Sequence, residues 1–132
     1  MNLNVIMDNY KNSDYMILKN YLDNYKMLSK LDLLYCAAKG LYLDYDEDGS
    51  IEFKEYKHGY ANNKEYEAKV EEQLYRMQNK VLNSNITSFG ELFNIIYDNI
   101  YGLQMVEELD CYNIALILGS TMNIYPIEQI YS

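Results

Sequence analysis

The chain has no tryptophan, and its 132 residues include one proline, one histidine and two cysteines. Hydrophobic residues make up 49% of it, and with a single proline that argues against a disordered chain. The lone His58 excludes a histidine-clustered zinc site. Cys36 and Cys111 are too few for a disulfide scaffold and suit a reducing compartment, so a cytoplasmic location is expected. The longest uninterrupted aliphatic run, Ile114 to Leu118, is far too short to span a bilayer. The start, MNLNVIMDNY, has neither the basic residues nor the long apolar stretch of a secretory signal. Basic residues are scarce as well: 11 against 20 acidic ones give a net charge of −9. That balance discourages direct nucleic-acid binding and attachment to anionic membranes. No G-x-x-x-x-G-K-[ST], G-x-S-x-G or H-E-x-x-H is present, so nothing points to nucleotide or hydrolytic chemistry and no enzyme is expected.

What the chain does have is helical periodicity. Leu18, Tyr21, Leu22, Tyr25 and Leu28 predict an amphipathic helix over about residues 14–28. Ser29, with Asp32 three residues on, predicts the cap of a second helix. Leu31, Leu34, Tyr35, Ala38 and Leu41 would form its apolar side, and it should end near Leu43. Tyr66, Val70, Leu74, Met77 and Val81 predict a third helix over 64–82, with Glu65, Glu67, Lys69, Glu71 and Glu72 facing out. Ser88 and Glu91 make a capping-box pattern ahead of a helix at about 89–101, closed by Gly102. Residues 104–118 continue helical, although Ile114 to Leu118 equally suits a buried strand. Pro126 suits the first position of a short last helix. With no glycine- or serine-rich linker, residues 1–132 read as one all-α domain. The frequent Tyr, Asn and Ile have AT-rich codons, which accounts for them without a function. Of the seven methionines, Met16, Met27, Met77, Met105 and Met122 are scattered, and most read as core gap-fillers rather than a partner-binding groove. Glu71-Glu72 and Glu107-Glu108 read as solvated helix faces.

One segment carries chemistry: Asp44 to Glu55, DYDEDGSIEFKE. A hard divalent cation needs about six to eight oxygens, and a twelve-residue loop can wrap them around one ion. Asp44, Asp46 and Asp48 take the first, third and fifth places, and Gly49 takes the sixth, where the backbone must turn sharply. Ser50 would offer its carbonyl at the seventh place and Glu52, ninth, could act through a water. Glu55, twelfth, would return as a bidentate ligand from the first turn of an exiting helix.

This segment resembles the EF-hand family, of which calmodulin is the familiar member. Ile51 fills the apolar eighth place, and Ile51-Glu52-Phe53-Lys54-Glu55-Tyr56 is similar to the family's exit pattern. The resemblance implies an EF-hand-like helix–loop–helix within a small helical domain, with Ca2+ as ligand and Mg2+ as competitor. It also implies a sensor or adaptor role toward a protein partner whose helix lies in an apolar groove. Gly40 and Gly59 depart from the family's flanking helices. Paired hands start about 36 residues apart, which points to 80–91 as a degenerate partner hand. There Phe89 and Glu91 fit, but Lys80 and Leu82 replace carboxylates. The competing expectation is a small acidic inhibitor or decoy of the kind mobile elements encode, with a metal-free loop.

Overall fold

The computed structural model describes residues 21–55, 64–103 and 106–126, with the backbone path alone for Tyr45, Ile51 and residues 53–55. The predicted first helix falls mostly outside the described residues, as do Met16, Met105, His58 and whatever follows Pro126. Its described end is a 3-10 helix, Leu22–Met27, with Leu22 and Tyr25 buried.

The architecture is mostly helical. Helix α1, Lys30–Lys39, begins where the Ser29 hydroxyl accepts the Asp32 N–H at 3.3 Å. It stops four residues before the predicted Leu43, because Gly40 takes the left-handed conformation at φ +70°. Its buried face is Leu33, Leu34, Cys36, Ala37 and Ala38, so Leu31 and Tyr35 lie outside, contrary to their expected core role. Strands β1, Leu41–Tyr45, and β2, Ile51–Glu55, then form an antiparallel hairpin.

Helix α2, Lys64–Arg76, and the short α3, Gln78–Val81, cover the predicted third helix with a break at Met77. Val70, Leu74, Met77 and Val81 are buried as their spacing requires. Glu67 is the exception to its outward face. It is only 6% exposed, and Lys39 Nζ donates to its Oε2 at 3.1 Å, joining α1 to α2. Burial works against the Lys39 ammonium, but the Glu67 hydrogen bond and charge hold its pKa above the ordinary lysine value.

Helix α4, Phe89–Ile100, starts at Ser88, whose hydroxyl accepts the Glu91 N–H at 3.1 Å. Helix α5, Glu108–Ser120, contains Ile114 to Leu118, so the open choice between helix and strand resolves as helix. Every residue from Asp110 to Ser120 is buried. A central helix is apolar all round and loses the one-sided stripe that would betray it in sequence. Asp110 is not a surface acid: its carboxylate accepts the Glu107 N–H at 2.8 Å and caps the helix.

At the other end of α5 the chain folds back. Ile124 N–H donates to the Gly119 carbonyl at 2.8 Å and Asn123 N–H to that of Ser120 at 3.4 Å, with Asn123 at φ +58°. That pairing is a Schellman motif with asparagine in its left-handed place. The core runs from Leu22 and Tyr25 through α1, α2 and α4 onto α5. Met77 and Met122 pack on it as expected, but Met27 is 61% exposed. Among the described residues no helix is long and apolar enough to cross a membrane.

Candidate functional site

The acidic segment 44–55 forms the free end of the hairpin. In register, Asp44 lies opposite Glu52, Tyr45 opposite Ile51 and Leu41 opposite Glu55. The Asp46 N–H donates to the Ser50 carbonyl at 2.9 Å, and the Gly49 N–H to the Asp46 carbonyl at 3.0 Å. Together with Gly49 at φ +81°, these bonds define a three-residue hairpin loop, a type I turn followed by a left-handed glycine. The glycine expected for a sharp turn is therefore used for one, and a Cβ there would be strained whatever the space around it.

Asp46 organises the tip. Its Oδ1 accepts the backbone N–H groups of Asp48 and Ser50, both at 2.9 Å. The hairpin tip thus satisfies its own backbone with an acidic side chain. Asp46, Glu47, Asp48, Ser50 and Glu52 are exposed, and Asp44 is half-buried.

The other edge of β1 fastens the hairpin to the helical body. Because Asp46 pairs with Ser50 through hydrogen bonds, alternation along an antiparallel ladder turns the Leu41 and Leu43 carbonyls away from β2. Tyr25 Oη donates to the Leu41 carbonyl at 2.6 Å and Asn24 Nδ2 to that of Leu43 at 2.8 Å. These two bonds close an edge that would otherwise be open to another strand. Burial, with the nearby Cys36 and Tyr42, raises the Tyr25 hydroxyl pKa, which keeps it a donor. Leu41 and Leu43 are buried below it, and the Tyr21 and Tyr42 rings meet at 4.6 Å.

The geometry departs from the helix–loop–helix expectation in three places. The incoming helix ends at Lys39 rather than leading directly into Asp44. The Ser50 carbonyl, expected to face an ion, accepts the Asp46 N–H inside the hairpin. Glu55, expected on the first turn of an exiting helix, lies in β2 with its backbone opposite Leu41. That is an odd number of steps from the Asp44–Glu52 pair, so Glu55 and Asp44 do not share a register face. Asp44 and Glu52 are brought together, and Asp46 is brought to the Asp48 and Ser50 backbone. Among the described residues, no three acids, cysteines or histidines form a group able to hold a metal ion.

The segment 80–91 contains the end of α3, a connection and the start of α4, and β1 pairs with β2 alone among the described strands. Cys36 and Cys111 are fully buried and free, and burial pushes both thiols up to about 12, Asp32 and Asp110 adding to the effect. Neither is poised as a nucleophile.

A concavity of the helical body is lined by none of these acids and was not visible in the sequence. It is a cleft of about 440 Å3 where the 3-10 helix, the start of α1, the connection at 82–86 and the end of α5 meet. Its lining comes from three stretches remote in sequence, and no local motif announces it.

The chain matches no protein-family model, and neither a curated protein nor a solved structure shows significant similarity to it.

Proposed function

We propose that this chain is a calcium-responsive, non-catalytic binding protein that acts on a protein partner, and that residues 44–55 are where the ion acts. One observation carries the reading. Asp44, Asp46, Asp48 and Glu52 crowd one hairpin end around a left-handed Gly49, in a stretch from residue 40 to 53 that contains no lysine or arginine. Like charges opposite one another across a ladder are destabilising, as Asp44 and Glu52 are. A divalent cation that neutralises them stabilises the folded chain through linkage. The EF-hand ligand order in the sequence supports calcium as that cation, with magnesium competing. The partner surface is supported by Leu31 and Tyr35, exposed one turn apart on α1, and by the exposed Met27 before it, apolar groups that suit the face of a partner helix.

Calorimetric titration of the metal-stripped full chain with calcium tests the reading. Saturable heat that disappears in Asp44→Ala and in Glu55→Gln is the expected result. Because Glu55 sits across from Leu41 in the hairpin, binding that recruits it should also change the far-ultraviolet circular dichroism of the chain. No heat at millimolar calcium would reject the calcium reading.

A second reading is favoured by the Asp46 carboxylate itself, whose Oδ1 is committed to the Asp48 and Ser50 N–H groups of the tip. On this reading the chain is a metal-free acidic adaptor, inhibitor or decoy. Its melting temperature would then be the same with calcium and with chelator, and binding to a basic target would collapse with added salt.

A further inference from the structure

The acid-poor cleft contrasts with the rest of the molecule. In a chain with 20 acidic and 11 basic residues, its lining includes Lys26 and Lys30 and no carboxylate. Of its hydroxyls, those of Tyr25 and Thr121 donate to the Leu41 and Leu118 carbonyls, and that of Ser84 can donate to a ligand. Its walls are aliphatic, built by Leu28, Leu33, Leu82 and Ile86. A volume of about 440 Å3 lies within the range of small-molecule sites, roughly 300–1,000 Å3.

Lys26 is held in place over this cleft. Its Nζ donates to Asn123 Oδ1 at 2.7 Å and lies 3.3 Å from the exposed carboxylate of Asp23. An ammonium has three donors, so one remains for a third acceptor. Lys30, the first residue of α1, takes part in none of the ion pairs found among the described residues. Two cationic donors beside an aliphatic wall define a ligand with an anionic head and an apolar body.

We propose that this cleft binds a small anionic amphiphile, a carboxylate or phosphate head on a short aliphatic chain. The head lies between the Lys26 and Lys30 ammonium groups, and the chain lies along Leu28, Leu33, Leu82 and Ile86. This proposal is independent of the acidic hairpin and of any metal.

The test is a methyl-resolved NMR titration of the full chain with octanoate, octyl phosphate, octanol and octylammonium. Saturable shifts confined to the Leu28, Leu33, Leu82 and Ile86 methyls are expected with both anions, and the tighter of the two identifies the head group. Octanol should bind more weakly, and octylammonium weakest of all. Lys30→Gln should weaken the anions about tenfold and leave octanol unchanged, in keeping with the loss of one charge-assisted hydrogen bond. Lys30 is exposed, so this variant keeps the fold. Lys26→Gln gives a second, independent reading of the same effect. Equal binding of octylammonium and octanoate, the absence of saturable shifts, or anion binding unchanged in both lysine variants would overturn the proposal.

Discussion

The helical body around α5 and the hairpin at 41–55 solve the same problem, the satisfaction of backbone and charge, in opposite ways. In the body, three polar groups that go under cover bring a specific partner with them. Glu67 meets Lys39, Asp110 meets the Glu107 N–H, and the Ser120 hydroxyl meets the Ile117 carbonyl at 2.6 Å. In the hairpin, most of the acids lie exposed, and Asp46 serves the turn by accepting the Asp48 and Ser50 N–H groups. A region whose charges are paired is built for stability. A region that crowds like charges near solvent carries repulsion that salt screens.

The largest effect should come from the body. Gly119→Ala would set a Cβ 2.6 Å from the Ile124 carbonyl oxygen, a backbone atom held by the Schellman motif. Because that neighbour cannot swing aside, a loss of about 2–3 kcal/mol is expected from chemical denaturation. An unchanged midpoint would show that the end of α5 is looser than the body described here.

Glu67→Gln should cost less, about 1–2 kcal/mol, since the partner Lys39 is left partly covered without its carboxylate. The same pair sets a pH dependence. The Lys39 pKa is raised on folding, so its contribution is complete below the ordinary lysine value near 10.5 and is lost as pH climbs through the raised one. Stability profiles of the wild type and Glu67→Gln should therefore run parallel through neutral pH and converge above about 10.5. Convergence already at neutral pH would remove the pair from the account.

Asp46→Ala should be the mildest, about 1 kcal/mol, and local. Faster amide exchange is expected at Asp48 and Ser50, with protection in α4 and α5 unchanged. Equal losses in both regions would mean that hairpin and body open as one unit, and the comparison between them would fail.

The parts legible in sequence are those whose cause is local. Ser29 and Ser88 announce their helices because a cap needs only a hydroxyl and an N–H three residues on. Val70, Leu74, Met77 and Val81 announce a buried face because α2 and α3 bury one stripe alone. The acidic segment was visible but ambiguous. Acid, acid and glycine at these spacings serve a calcium loop, and they also serve a turn in which Asp46 accepts backbone N–H groups and Gly49 turns left-handed. Both demand an acceptor side chain ahead of a glycine, so local chemistry does not separate them. The extent of α1 was misjudged for a similar reason: Leu41 and Leu43 are apolar on either reading, and only Gly40 separates helix from strand.

By itself, then, the amino-acid order determined an acidic, mainly helical chain, its helix caps, most of its apolar face and the one segment rich in metal-type ligands. Tertiary packing decided that Ile114 to Leu118 is helix, that Glu67 goes inside, that residues 41–55 pair as strands and that Lys26 and Lys30 share a cleft with Leu82 and Ile86. The physical reason is range: caps and stripes depend on residues three or four apart. A half-buried ion pair 28 residues apart and a cleft assembled from three stretches exist only once distant segments are packed together.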